Sequence, residues 1–298
     1  MKALEPWRLL PHELFFGLFL LITWARLGWV EGWLGGDTLL YAALILINLA
    51  AIGFCHSNGA AWRWRAGMLF YPVVINVVFM QMKTSVPKIH PQAMDTLLQH
   101  LDTLGIGTNL SLRLQPLVHP VFTEFFSLCY LLFFPYLLFS LVYYFCGEVN
   151  LLRKFVTGLF TIYGLGFLGY TLLPAHGPGH ALAEQFTVPL NGWWLTQWTA
   201  AIVARGSNGV DVFPSLHCAV SSYFLFFDRP HRPWRFKLYL VPCVGLWIST
   251  IYLRYHYGID MLCGFALSAF ALWLTKYYPR DVVAQTPSAA PANNPVSL

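Results

Sequence analysis

Two stretches near the C-terminal end carry residue types that can do chemistry. One is Phe213-Pro214-Ser215-Leu216-His217; the other runs over 249–260 and contains Ser249, Tyr252, Arg254, His256 and Asp260. They combine two imidazoles, a carboxylate, a guanidinium and several hydroxyls. That set suits phosphoryl transfer through a histidine nucleophile, which needs an orienting group, a cation for phosphate oxygens and an acid for the leaving group. His256 and Asp260 are four apart, so at the start of a helix they share a face. The aspartate then holds the Nδ1–H and leaves Nε2 free to attack phosphorus. Arg254 offers a fork that fits phosphate oxygens. Ser215 stands at a helix start, where hydroxyl and amides bind an anion or simply cap the helix. His217, in that first turn, can protonate a leaving alkoxide. Blander roles compete: a capping pair for His256 and Asp260, snorkelling for Arg254. The chemistry calls for neither metal nor cofactor.

Weaker candidates surround these. Asp211 caps the following helix or positions His217. His176-Gly177-Pro178-Gly179-His180 reads as a tight turn with two imidazoles facing the phosphate or head group, since Gly-Pro-Gly cannot be regular helix. Ser249 and Tyr252 are supporting candidates beside Arg254.

The elements that must position these groups read as membrane helices. Of 298 residues, 57% are hydrophobic and only 10% charged, against roughly a quarter charged in a soluble domain. Mean hydropathy is +0.56. The reading is an all-α polytopic bundle of about eight spans. The apolar runs fall at 14–30, 39–54, 66–82, 121–146, 155–173, 213–227, 236–252 and 256–277. Residues 1–82 form about three N-terminal helices and 83–120 an extracytoplasmic connection with an interfacial helix. Residues 121–280 form the catalytic membrane core, and 281–298 a disordered tail. The segments 92–104 and 192–204 mix apolar and polar residues as interfacial helices do. Arg26 lies inside the first run, paired or snorkelling. The six cysteines fall in or beside apolar runs without a CxxC pair, as buried reduced thiols do. Scattered basic residues give no nucleic-acid signal.

Basic residues set the orientation. Lys2, Arg8, Arg63, Arg65, Arg153, Lys154, Arg229, Arg232, Arg235, Lys237, Lys276 and Arg280 fall on the side of the termini. Only Lys83, Lys88, Arg113, Arg205 and Arg254 fall opposite. Both termini are therefore expected in the cytoplasm. The stretches bearing His176, His217 and His256 then meet at the other face, toward periplasm, exterior or lumen.

The paired stretches resemble the second and third signature motifs of the PAP2 (type 2 phosphatidic acid phosphatase) superfamily. The nearer likeness is to its inositol phosphorylceramide synthase branch, with sphingomyelin synthases more distant. There the last motif reads like Tyr252-x-x-x-His256-Tyr257-x-x-Asp260. The segment 95–124, with Asp102, Gly105, Pro120 and Glu124, resembles the one preceding the core. The resemblance covers roughly 90–275. It implies a six-helix core, no metal and a phosphohistidine intermediate. His256 would be nucleophile, Asp260 its partner, His217 the acid, and Ser215 and Arg254 the phosphate ligands. There are departures. Leu216 replaces a common glycine, and Thr250 stands where an arginine is usual, with Arg254 one turn later. The first Lys/Arg motif is absent, its place taken by 173–178. The resemblance implies a membrane lipid substrate, with an alcohol, a lipid or water taking the phosphoryl group. Two other classes are weighed: a transporter or channel, which would place charges deep in spans and repeat its halves, and a metal-dependent hydrolase, which would need a ligand set not visible here.

Overall fold

In the computed structural model residues 9–57 and 60–277 are described, and every regular element among them is helical. α1 (Pro11–Glu31) and α2 (Gly36–His56) form a hairpin. α3 (Ala61–Met68) runs on into α4 (Phe70–Ile89). A connection follows with α5 (Asp95–Ile106) and α6 (Leu110–Leu114). α7 (Pro120–Leu131) and α8 (Phe133–Cys146) form one apolar stretch, and α9 (Val149–Leu172) is the longest helix. After it come α10 (Pro178–Ala181), α11 (Trp194–Gly206), the hairpin α12 (Leu216–His231) and α13 (Pro233–Tyr252), and finally α14 (Gly258–Tyr277).

Among the described residues six stretches are long and apolar enough to cross a membrane: Pro11–Glu31, Gly36–His56, Ala61–Ile89, Pro120–Cys146, Val149–Leu172 and Gly258–Tyr277. The chain is an integral, all-α membrane protein. The eight expected runs all become helices, but α12 and α13 fall outside the six. α12 has 16 residues, short of the ~20 that a span needs. α13 carries Arg235 and Lys237 near its start. Lys2, Arg8, Arg280 and the expected disordered tail lie outside the described residues.

α9 is the hub, with α1, α4, α8, α12 and α14 packed around it. Gly164 lets α1 approach, because a Cβ there would stand 2.8 Å from the Phe16 nitrogen. A glycine inside a helix costs about 1 kcal/mol relative to alanine; the close backbone approach that small residues permit offsets it. Gly164→Leu would push α1 off the hub. Arg26 bridges helix ends: Nη1 donates to the Thr171 carbonyl at 2.9 Å and Nη2 to that of Ile89 at 3.2 Å. It thus caps α9 and α4 together, a common use of a cation at helix C-termini.

Arg65 and Arg153 lie at the end of the bundle opposite the histidines. His56 Nε2 meets Glu13 at 2.9 Å, and Arg153 stands 4.3 Å over the Trp64 ring. Arg65 donates to the carbonyls of Phe145 and Gly147. Arg235, counted among the loop charges, is instead fully buried; its Nε pairs with Asp228 at 2.9 Å, and Tyr144 donates to the same carboxylate. Cys55, Cys129, Cys218 and Cys243 are buried as expected, but Cys146, at the end of α8, is exposed and Cys263 half-buried.

Candidate active site

The segment after α13 turns more sharply than its sequence suggests. The helix stops at Tyr252, and Arg254 takes the left-handed region with φ 67°. That conformation costs an L-residue about 1–2 kcal/mol. Three amides close the turn: Arg254 N–H donates to Ile251 O, and those of Tyr255 and His256 both donate to Thr250 O, each at 3.0 Å. Two expectations are corrected here. Arg254 does not continue the helical face of Thr250. His256 is not in a helix; it lies in the loop two residues before α14. Asp260, in the first turn of α14, still reaches it, with Nδ1 to Oδ2 at 3.5 Å. The same Oδ2 accepts the Tyr257 N–H at 2.7 Å. The pairing survives because the carboxylate folds back over the loop that carries the histidine.

α5 brackets this loop from outside. The Asp102 carboxylate is almost fully buried and accepts the N–H groups of Gly258 at 2.9 Å and Ile259 at 2.7 Å. It caps α14 from another helix, in the manner of an acidic N-cap. Burial raises its pKa, although those two bonds oppose the shift. Asp95 accepts from His176 N at 3.0 Å, Gly177 N at 2.9 Å and Tyr257 Oη at 2.8 Å. One carboxylate therefore ties the 176–177 turn to the His256 loop. Glu124 plays a related part on α7, accepting the amides of Trp193, Leu195 and Thr196 at the start of α11. Asp95 was missed as a site residue and Asp102 given no role. Their spacing of seven, on one face of a short helix, was the available signal.

A cavity of about 670 Å³ opens beside these loops. His176, His180, Asp211, His217, Arg254 and His256 all line it. His217 and His256 sit with ring centroids 5.9 Å apart. Tyr130 and Phe133 each stand 4.8 Å from the His217 ring and hold it in an aromatic cage. His176 and His180 are 5.0 Å apart at the mouth. Their turn differs in detail from expectation, since Pro178–Ala181 forms one helical turn behind Gly177 at φ 87°. The Arg254 guanidinium lies 3.9 Å over the Phe186 ring and donates to Val188 O. It anchors the 176–188 segment as well as facing the cavity. Asp211 accepts from Ser207 Oγ at 2.6 Å. Burial raises the Asp211 pKa; the Ser207 bond and the nearby His256 oppose that.

Four predicted residues are not on the cavity wall. Asp260 stands behind His256. Ser215 is fully buried, its hydroxyl accepting the Cys218 N–H at 3.4 Å as the N-cap of α12. Ser249 donates back to Leu246 O at 2.7 Å. Tyr252 Oη meets Thr123 Oγ1 at 3.1 Å and accepts His119 N–H at 3.2 Å, fastening α13 to α7. Serine hydroxyls near a helix end satisfy local backbone before they reach a ligand, which is why Ser215 and Ser249 turn away; Tyr252 is instead held by its partners at the start of α7.

The arrangement is a helical membrane site with two histidines on one cavity, a carboxylate behind one of them and a guanidinium at the rim. A profile of the PAP2 superfamily matches residues 95–274, more than half of the chain. The chain belongs to the PAP2 superfamily. It is 29% identical over 176 residues to the phosphoinositol dihydroceramide synthase of Bacteroides thetaiotaomicron, covering 54% of this chain and 56% of that one. It is 29% identical over 122 residues to the inositol phosphorylceramide synthase catalytic subunit AUR1 of Saccharomyces cerevisiae, covering 41% of this chain and 28% of that one. The chain thus spans little more than half the length of the first relative and less of the second. No solved structure matches it.

Proposed function

We propose that this protein transfers a phosphorylated head group from a membrane lipid to a lipid alcohol through a phosphohistidine on His256. The observation that carries this is the placement of His217 and His256 on one cavity, with Asp260 3.5 Å behind Nδ1 of His256. His256 Nε2 attacks phosphorus, the N–P bond forms, and the P–O bond to the leaving lipid breaks. His217 gives its proton to that leaving alkoxide. In the second half the acceptor hydroxyl returns a proton to His217, its oxygen attacks phosphorus, and the N–P bond breaks. Arg254, at the rim, takes charge spread over the phosphoryl oxygens. Asp260 holds the positive imidazole of the intermediate. Water in place of the alcohol would release the phosphorylated head group by hydrolysis; the names of the two relatives, both synthases, favour transfer.

The site faces the periplasm, exterior or lumen in this reading, with both termini cytoplasmic. The basic residues at the far end of the bundle, Arg63, Arg65, Arg153 and Arg232, support it. The test uses purified protein in vesicles with an isotopically labelled inositol phospholipid and an N-acyl amino alcohol. Mass spectrometry should find the head group on the acceptor. It should also find the phosphorylated head group held on His256 through an acid-labile N–P bond, and neither product with His256→Ala. Turnover by that variant at the wild-type rate would overturn the mechanism.

A further inference from the structure

We propose that the end of the bundle opposite the histidines holds an anionic glycerophospholipid, its phosphate on Arg232 and one acyl chain along α8. This site is separate from the catalytic cavity and does not depend on the transfer reading. α12 runs from Leu216 to His231, so Arg232 stands about 22 Å from His217 at the α-helical rise. A phosphate held there is out of reach of His256, which neighbours His217.

A second cavity, of about 440 Å³, opens where α8 ends and α9 begins. Phe139, Val142, Tyr143 and Tyr144 of α8, Leu151 of α9 and Arg232 line it. Phe139 is 40% and Val142 53% exposed, so the groove opens sideways toward lipid. From Cys146 to Phe139 its wall runs about 10 Å along α8. A free phosphate has no use for that length of apolar wall, whereas the first part of an acyl chain fits it.

Charge identifies the head group. Arg232, between α12 and α13, donates from Nε to Tyr143 Oη at 2.9 Å and from Nη1 to the His231 carbonyl at 2.7 Å. Those bonds fix the guanidinium plane, and Nη2 has no acceptor among the described residues. Nor does a carboxylate there neutralise it: Asp228 takes Arg235 and Tyr144, and Glu148 is exposed and off the cavity wall. Arg65 brings a second cation to the rim, donating to the carbonyls of Phe145 and Gly147. An oriented guanidinium with open donors above an apolar groove suits a phosphodiester. Basic pockets between helices bind anionic lipid head groups in this way. Tyr143 and Trp234, with rings 6.1 Å apart, are the aromatics expected at head-group level. A zwitterionic lipid offers the same phosphate but sets its own cation beside the two arginines, so net negative charge decides the occupant.

The test is photocrosslinking with the purified full-length protein in phosphatidylcholine nanodiscs, where a zwitterionic competitor is always in excess. The probe is phosphatidylglycerol with a diazirine in one acyl chain, and its phosphatidylcholine counterpart is the control. The anionic probe should label Phe139, Val142 or Leu151. Unlabelled phosphatidylglycerol should abolish that label and inorganic phosphate should not. The zwitterionic probe should label these positions no more than the outward-facing Leu138. Arg232→Gln should weaken competable labelling about tenfold, the loss of one charge-assisted contact, and Arg232→Lys should restore most of it. Val142→Trp, which fills the groove and leaves the charge in place, should abolish it while the lipid-free variant unfolds at the parent's temperature. Arg229→Gln, exposed and off the cavity wall, should label like its parent. Absence of competable label at these three positions, or its survival in Val142→Trp, overturns the groove. Equal labelling by the two probes, competition by inorganic phosphate, or an Arg232→Gln protein that labels like its parent overturns the anionic-lipid assignment.

Discussion

Replacing Asp102 should disable the site without touching it. Its carboxylate accepts two amides of the first turn of α14, and His256 lies two residues before that turn. Asp102→Ala strands the buried Gly258 N–H and the half-buried Ile259 N–H, each costing up to about 1–3 kcal/mol. Water entering the space vacated by the side chain recovers part of this, so a local loss of about 2–4 kcal/mol is expected. The first turn of α14 then frays, and it holds both Asp260 and the backbone that aims His256. A displacement of about 1 Å at a reacting group lowers rates on the order of 10²-fold. We therefore expect kcat to fall about 100-fold with KM within about threefold, because Asp102 is not on the cavity wall and that wall is untouched. Asp102→Asn keeps one acceptor and should fall only about tenfold. The assay is head-group transfer followed by mass spectrometry, with thermal unfolding in the same detergent to confirm a folded population. His100→Ala, an exposed change on the same helix, is the control and should be silent. An Asp102→Ala protein with wild-type kcat would refute the bracket. So would a loss that follows only the fraction of folded protein.

Asp211 sets a pH dependence. Burial raises its pKa, so it takes up a proton at milder acidity than an exposed carboxylate and removes a negative charge from the surroundings of His256. Activity should fall on the acid side, and Asp211→Asn should lower kcat and flatten that limb. The stability sign is opposite: a carboxylate whose folded pKa is raised loses stability as pH rises through the window from its unfolded to its folded value. Asp211→Asn should therefore raise Tm at neutral pH, and a lowered Tm would contradict this. Histidine attack needs no divalent cation, so EDTA should leave turnover unchanged while vanadate inhibits as a phosphate mimic. Loss with EDTA and recovery with one metal would move the chemistry to that metal. For sidedness, Asn191→Cys on a cysteine-free background should react with an impermeant maleimide added outside, and Arg229→Cys should not; the reverse pattern would invert the topology. Arg254→Lys should lose most activity, since an ammonium cannot reproduce a planar fork stacked on Phe186 while facing phosphate; near-normal kcat would remove Arg254 from that role.

The membrane class, the helical fold and the residues around the histidines were legible in the sequence because each rests on local information. Apolar run length reports a span, and the spacing of His256 and Asp260 survives even though His256 leaves the helix. Topology alone brought 174–180, 213–217 and 254–260 to one end. Which side chains meet from separate elements was not legible. Nothing near Asp95 announces that its carboxylate will hold Gly177 and Tyr257, 82 and 162 residues away. Nor does Arg235, apolar-flanked and basic, announce that it will be buried on Asp228 and ringed by aromatics. The direction of each hydroxyl was also undecided. Ser215, Ser249 and Tyr252 could each face a ligand or a nearby backbone or side-chain group, and those neighbours win in all three because they are fixed at hydrogen-bond distance in a buried site. Likewise α4 matches no motif, yet its packing on α9 makes it a wall of the cavity. The sequence by itself determined which groups are available and in which solvent the chain folds. Only the tertiary structure decided which of them face one another, because those pairings depend on long-range packing that no local spacing encodes.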